Sequence, residues 1–367
     1  MRNLIVAILA LAGGALAQDQ TVRAYVSLDR EHSSKILARF ERETGIRVDA
    51  QYDTEATKTI GMVRRLITEK SKPQCDVYWN NELATMVKLK ESGVLQAYRS
   101  PMATDIPAAF KDADGFWTAF AARARVLIVN TDLVGPDEMP TSMWDLCDAK
   151  WKGKICMARP ETGTTAAHAS ALYTLDEAKA DEYFDKLIAN DCVWLTGNAH
   201  CMREVAAGRF AFGWTDTDDF NVALIQRKPV AMVYPDAAAD AIGVMFIPNS
   251  LGLIKGAPHA EAGKKLIDWL LRAETEAMLA KAATAQIPVR PGVPVPDNVQ
   301  RFDQIGKAMP LDWSRVGKEY DKWVDHVRAK REGAEETSPT LMIIVGAVVL
   351  AVIAVVVLLR RATGEPT

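Results

Sequence analysis

The apolar positions along this chain alternate between two periods. Residues 22–26 form a mostly apolar run ending at Ser27-Leu28-Asp29-Arg30. A helical stripe follows, with Ile36, Leu37 and Phe40 on one face and a stop at Gly45. Residues 46–52 alternate as a strand and end at Asp53-Thr54-Glu55, and the next helix carries Ile60, Val63, Leu66 and Ile67. Residues 76–79 read as a third strand, closed by Asn80-Asn81-Glu82 and followed by a helix through Val87 and Leu89. Strand–helix alternation predicts an α/β chain with a largely parallel sheet and helices on both faces. Ligands bind outside the carboxyl ends of strands in such sheets. The polar tips at Asp29, at 53–55 and at 80–82 are therefore expected along one cleft edge.

A second αβ unit follows the long strand 123–130. It comprises a strand at 153–157, the turn Arg159-Pro-Glu-Thr-Gly-Thr-Thr165 opening a helix through Leu172, and a helix at 180–188. A short helix at 201–207 closes at Gly208, and a strand at 210–214 runs into Thr215-Asp-Thr-Asp-Asp219. Residues 243–253 read as a strand returning to the first unit. The expected architecture is a clamshell of two αβ lobes joined by two crossing strands. Lobe 1 takes 18–122 and 243–280, lobe 2 takes 123–242, and 281–330 is a C-terminal helical segment packing on the lobes.

The two ends follow other patterns. Arg2, the apolar residues 4–12 and Ala15-Leu16-Ala17 before Gln18 make residues 1–17 an export signal. That apolar stretch is too short to span a bilayer comfortably. Residues 341–359 are an unbroken run of apolar and small side chains, about 28 Å long as a helix. Arg360 and Arg361 follow at once and place the tail 360–367 in the cytoplasm by the positive-inside rule. The polar stretch 331–340 reads as a tether. An exported domain is expected on the periplasmic or extracellular face of the cytoplasmic membrane, anchored by a C-terminal transmembrane helix.

Composition changes little in this picture, but charge sharpens it. The 367 residues are 49% hydrophobic and 25% charged, an ordinary globular balance that excludes a disordered or collagen-like chain. Mean hydropathy of -0.04 averages a polar domain with two greasy ends. Net charge is -3, so there is no electrostatic footprint for nucleic acid. Dropping Arg2, Arg360, Arg361 and Glu365 takes 44 basic and 47 acidic residues to 41 and 46, leaving -5, compatible with a cation-binding cleft. Cysteines at 147 and 156, and at 192 and 201, bracket short segments in a compartment that permits disulfides. The pairings Cys147–Cys156 and Cys192–Cys201 are expected, with Cys75 a buried thiol. There is no C-x-x-C or paired histidine at zinc spacing.

Several segments in order carry a family resemblance: Tyr25-Val-Ser-Leu-Asp29, Phe40-Glu-Arg-Glu-Thr-Gly-Ile46, Tyr52-Asp-Thr-Glu55, Asp76-Val-Tyr-Trp-Asn-Asn-Glu82 and Lys90-Glu-Ser-Gly-Val-Leu95. Ala122-Arg-Ala-Arg-Val126, Trp144-Asp-Leu146, Trp151-Lys-Gly-Lys154, Gly197-Asn198 and Gly213-Trp-Thr-Asp-Thr-Asp-Asp219 continue it. Ile254-Lys-Gly-Ala-Pro-His259 and Gln286-Ile-Pro-Val-Arg-Pro291 close it. Over residues 20–325 the chain resembles extracellular solute-binding proteins of family 1, in particular the ferric-iron-type branch serving ABC importers. The resemblance implies a type II periplasmic-binding clamshell that hinges and does not catalyse.

It also implies roles for individual residues. Thr162-Gly163-Thr164 opens a helix, where free N–H groups, hydroxyls and the dipole favour an anion. The competing role is simple N-capping. In ferric-binding relatives a synergistic phosphate or carbonate uses the matching turn, and Asn198 falls near an anion-contacting asparagine. Asp216 and Asp218 share a strand face and are expected to converge on one cation, with Glu82 as a further metal ligand and Thr215 and Thr217 beside them. The alternative is an Asp-capped turn. The chain departs from the family pattern here. Two adjacent tyrosines are replaced by Thr217 and Asp218, a histidine ligand falls near Asp29, and a glutamate ligand falls at Asn81 or Glu82. Arg123 and Arg125 lie on one strand face and either neutralise ligand charge or pair with cleft carboxylates. Asp53, Thr54 and Glu55 are expected at ligand or hinge, and His168 in the core.

The expected function is a membrane-anchored binding component of an ABC importer, a monomer working with a permease and its ATPase. Fe³⁺ with phosphate or carbonate is the expected transported ligand, captured by lobe closure, and no obligatory cofactor is expected. An organic phosphonate, a phosphate ester or a polyamine is the alternative ligand, and a non-transport sensor or scaffold the alternative role. A hydrolase or lyase using the Asp53/Glu55 or Asp216/Asp218 pair is the lowest alternative, because G-x-S-x-G, P-loop and H-E-x-x-H motifs are missing. An Asp216→Ala/Asp218→Ala variant is expected to weaken binding without unfolding.

Overall fold

The computed structural model describes residues 21–53 and 60–336. The first lobe opens with β1 (Thr21–Val26), α1 (Arg30–Thr44), β2 (Arg47–Tyr52), α2 (Ile60–Thr68), β3 (Val77–Asn80), α3 (Ala84–Glu91) and β4 (Leu95–Gln96). The chain crosses on β5 (Thr118–Asn130). It then builds β6 (Ile155–Ala158), α4 (Gly163–Leu175), α5 (Glu177–Ala189), β7 (Val193–Leu195), α6 (Asn198–Ala206), β8 (Phe212–Asp216), α7 (Thr217–Ile225) and β9 (Val230–Val233). It returns on β10 (Phe246–Ile254), followed by α8 (Ala260–Leu270), α9 (Ala273–Lys281), α10 (Phe302–Ile305) and α11 (Trp313–Glu336).

The strand order is β2-β1-β3-β10-β5-β8-β6-β7, with β4 beside β10 and β9 beside β5. β1 runs parallel to β2 and β3, and β6 runs parallel to β7 and β8. β5 is antiparallel to both of its long neighbours and belongs to both lobes. Its first half, through Ala124, pairs with β10, and Arg125 to Val129 pair with β8. Every residue of β5 is buried, which fits a near-continuous apolar run covered on both faces.

Local sequence explains the flanking helices. α1 buries Ile36, Leu37 and Phe40 at helical spacing and leaves its charged residues outside. α4 is small and apolar nearly all round, and Thr164 through Thr174 are buried between the lobe 2 sheet and α11. α11 lies across both lobes. It packs on α4, where Trp323 stacks on Tyr173 at 4.6 Å, and on α3 of lobe 1. Only glycine fits at 317, since a Cβ there would lie 2.5 Å from Val87 Cβ and 2.7 Å from the Ala84 carbonyl oxygen.

Several expectations are corrected. Asp216 and Asp218 do not share a strand face: Asp216 ends β8, and Asp218 lies in helix α7, which begins at Thr217 because Asp and Thr at the end of β8 act as helix-start residues. Residues 282–312 carry only the short α10, so the segment 281–330 is continuously helical only from Trp313. The helix then runs on to Glu336 through the first part of the expected tether, held by a buried ion pair at Arg331. The disulfides Cys147–Cys156 and Cys192–Cys201 are not formed, and all five cysteines are thiols. Cys147 turns its Sγ to the Tyr183 carbonyl, whereas Cys156, on β6, faces Cys201 on α6. Spacing in sequence does not bring the expected partners together. Cys75 is fully buried, as expected.

The signal at 1–17, Thr54 and Glu55, the membrane segment 341–359 and the tail 360–367 lie outside the described residues. Among the described residues no helix is long and apolar enough to cross a membrane.

Candidate functional site

Four helices begin at the carboxyl ends of strands and point their N-termini at one cavity. Asp29 caps α1 after β1, Thr162 caps α4 after β6, Gly197 caps α6 after β7, and Asp216 caps α7 after β8. Asp29 and Asn81 from lobe 1, Arg123 from the crossing strand, and residues of the three lobe 2 turns line the cavity. Its free volume is about 30 Å³, room for roughly two water-sized groups.

The four helix ends differ in charge. α1 and α7 carry carboxylates at their starts: Asp29 and Glu31 on one, Asp216, Asp218 and Asp219 on the other. α4 and α6 have no acidic residue in the first turn and no side chain capping a backbone N–H. Their first N–H groups have no partner within the helix, and the helix dipoles add positive potential. Gly163 sits at φ 56, a backbone conformation that favours glycine, and Thr162 to Thr165 line the cavity. One side of the cavity therefore suits an oxyanion and the other a positive centre.

Asp216 is the hub between them. It is fully buried and accepts from Arg125 NH1 at 2.8 Å, Thr164 Oγ1 at 2.9 Å, Asn198 Nδ2 at 3.0 Å and Arg123 NH1 at 3.1 Å. Burial pushes its carboxyl up, but Arg125 and then Arg123 outweigh that, and it is held below the usual carboxylate range. Arg125 also donates to Asn198 Oδ1 at 2.9 Å and Thr165 Oγ1 at 2.8 Å. Arg123 reaches the Asn81 carbonyl across the cleft and lies 3.7 Å from Asp218. His168 packs edge-on against Trp214 in the core, where burial and then the Arg125 cation push its imidazole down to about 3.

Asp29, Asn81, Arg123, Thr162, Gly163, Thr164, Asn198, Asp216 and Asp218 thus line the cavity together. Arg125 stands behind the wall. Glu82 does not reach the cavity. Its fully buried carboxylate accepts from Thr85 N at 2.9 Å and Asn80 Nδ2 at 3.2 Å, capping α3, and burial pushes its pKa above the usual carboxylate range. Thr215 donates to Asp219 at 2.9 Å, and Thr217 accepts from Ala124 N at 3.2 Å, so both serve the wall. Asp53 accepts from Ser27 at 3.5 Å and does not line the cavity. The expected Glu82, Asp216 and Asp218 metal set does not assemble, because Glu82 is a helix cap and two arginines occupy Asp216. Among the described residues no group of three or more His, Cys, Asp or Glu is arranged to hold a metal ion.

Sequence reasoning missed Ala158, Thr165, Thr196, Gly197, Ala199 and Asp219 as lining residues. The available signal was Gly197-Asn198 ahead of a helix, with no acid in the first turn.

A family model described as bacterial extracellular solute-binding protein matches residues 35–305. Iron uptake protein A1 of Synechocystis sp. is 26% identical over 302 residues, covering 78% of this chain and 81% of that protein. A putative 2-aminoethylphosphonate-binding periplasmic protein of Salmonella typhi is 26% identical over 268 residues, covering 72% and 75%. Iron-bound HitA from Pseudomonas aeruginosa superposes with a TM-score of 0.76 at 18% identity, covering 84% of this chain and 99% of that one. AfuA from Actinobacillus pleuropneumoniae, with fructose-6-phosphate bound, gives 0.74 at 22% identity over the same shares. These structural likenesses establish the periplasmic-binding clamshell fold.

Proposed function

The chain belongs to the bacterial extracellular solute-binding proteins, and from that premise we propose that it captures a small solute carrying both an oxyanion and a positive centre for an ABC permease and its ATPase. The observation that carries this reading is the division of the four helix starts. α4 and α6 offer bare N-termini, and α1 and α7 offer carboxylates. A compact aminophosphonate meets both sides at once, its phosphonate on the Thr162–Thr165 and Gly197–Asn198 amides and its ammonium toward Asp29, Asp218 and Asp219. The Salmonella typhi relative supports that ligand class. Such a ligand is larger than the cavity as it stands, so the lobes part to admit it, and because Asp29 and Asn81 belong to lobe 1 and the turns to lobe 2 it bridges the lobes and favours a closed state. The protein acts outside the cytoplasm as a monomer without catalysis, and residues 341–359 anchor it.

A second reading is ferric iron seated with a synergistic phosphate or carbonate. Iron uptake protein A1 supports it, as do the hard oxygen donors of the cavity. The oxyanion would use the same amides, and the metal would face the acidic side.

A thermal-shift series on the purified full-length chain separates the two. Ligand at a hundredfold excess over Kd adds about 2.7 kcal/mol of stability. A metal-independent shift with 2-aminoethylphosphonate, and none with ethylphosphonate or ethanolamine alone, is expected. A shift that needs Fe³⁺ together with phosphate or carbonate would replace the first reading with the second.

A further inference from the structure

Arg331 lies near the end of α11, far along the chain from the cavity, yet it closes on the segment that forms the oxyanion seat. Its guanidinium is 2.6 Å from Glu161 Oε1, and both side chains are largely buried, at 6% and 13% exposure. Glu161 immediately precedes Thr162, the residue that caps α4. Arg331 also lies 3.1 Å from Glu332 on its own helix. α11 is rigidly placed before it reaches this point. Trp323 stacks on Tyr173, Lys330 holds Asp185 at 2.6 Å, and His326 meets Asp181 at 2.8 Å.

Two physical consequences follow. A carboxylate one residue before an oxyanion seat repels the ligand unless a cation neutralises it, and burial reduces the screening that would hide it. A charge-assisted hydrogen bond between two ordered side chains also fixes the backbone that carries them. We propose that Arg331 is a positioning and charge-neutralising residue for the oxyanion seat, acting through Glu161 on the Thr162–Thr165 turn. It touches no ligand itself. α11 thus contributes to ligand affinity as well as to packing, and this role rests on the oxyanion reading given above.

The experiment is a two-residue cycle in the purified full-length chain: Arg331→Met, Glu161→Gln and the double variant. Isothermal titration with 2-aminoethylphosphonate, and with ferric phosphate, reads affinity. Hydrogen exchange of the ligand-free protein reads the turn. Arg331→Met is expected to weaken binding about tenfold and to speed exchange across residues 159–166, with β6 and β8 unchanged. Glu161→Gln should bind as tightly as the parent or more so, and the double variant should recover most of the lost affinity. A purely structural ion pair would instead lower the melting temperature in both single variants and leave affinity alone. Arg331→Met binding within twofold of the parent overturns the inference, as does a double variant no better than Arg331→Met. If the parent binds neither probe, the ligand reading fails by itself. Exchange across 159–166 then decides for Arg331, and unchanged protection there overturns it.

Discussion

Replacing Asp216 by Asn tests whether the carboxylate at the centre of the cavity is a ligand or a strut. The substitution keeps shape and one acceptor oxygen but removes the charge that Arg125 and Arg123 share at 2.8 and 3.1 Å. All three side chains are at most 4% exposed, so water cannot replace the lost partner. Removing one member of a buried pair costs about 3–5 kcal/mol, because the remaining charges stay buried without compensation. Against a total stability of about 5–15 kcal/mol that is a large fraction. The melting temperature should fall by about 10 °C. Asp218→Asn is the control. Its side chain is 12% exposed and 3.7 Å from Arg123, a longer contact than either arginine makes with Asp216, so it should cost less than Asp216→Asn. The effect also has a pH signature. Asp216 titrates below its unfolded value in the folded protein, so its stabilisation is fully present above about pH 4. It is lost as pH falls through the lower folded value. Urea denaturation followed by circular dichroism at pH 7 and across pH 5 to 3 gives both quantities. A stability within 1 kcal/mol of the parent at pH 7 would refute the strut. The double Asp216→Ala/Asp218→Ala variant is accordingly expected to destabilise the fold, and Asp218→Ala alone becomes the variant that reports on ligand.

His168 predicts a second pH effect of different origin. Its imidazole titrates near 3 in the folded chain and near 6.5 unfolded, so it stabilises fully above pH 6.5 and progressively less as pH falls toward 3. His168→Phe, which keeps an aromatic ring against Trp214, should remove up to about 1.4 kcal/mol of this loss per pH unit. Equal slopes in denaturation between pH 6.5 and 5 would contradict it. Gly317→Ala should gain about 1 kcal/mol of helix propensity but lose about 1–3 kcal/mol to overpacking against Val87 and Ala84. A calorimetric melting temperature a few degrees below the parent is expected, and a rise would show that α3 and α11 separate freely.

The strand–helix alternation was legible because each lobe's parallel strands are short apolar runs capped by polar tips, as at Val22–Val26 followed by Asp29. The long span of β5 was only half legible. Ala119, Phe120, Ala121 and Ala122 carry no period of their own, and strand pairing with β10 decides their conformation. α7 was hidden because Thr217, Asp218 and Asp219 have turn composition, and its last residues, Leu224 and Ile225, are exposed and give no apolar stripe. Glu82 looked like a ligand by position in the resemblance. Its carboxylate was taken instead by Thr85 and Asn80, contacts that sequence spacing does not rank. The cysteines misled for a similar reason, since a strand and a helix from different turns of chain set Cys156 against Cys201.

What sequence reading lacked most was the sharing of charge around the crossing strand. Arg123 and Arg125 alternate on one face of β5, at the place where its pairing partner changes from β10 to β8. Both hold Asp216 in lobe 2, while Arg123 also donates to the Asn81 carbonyl in lobe 1. A hinge motion at that place must stretch one of the two Arg123 contacts. The ion pair to Asp216 is charged at both ends and buried, and the bond to Asn81 is charged at one end only, so the Asn81 contact is the one that yields on opening. On that argument Arg123 would stay with lobe 2 in both states and keep Asp216 neutralised. The carboxylates left to meet a positive centre are Asp29 across the cleft and Asp218 and Asp219 at the start of α7. Under the proposed capture of a ligand between the lobes, closure would return Asn81 to Arg123 and Asp29 to the acidic side of the cavity, so the same few side chains would set affinity and lobe position.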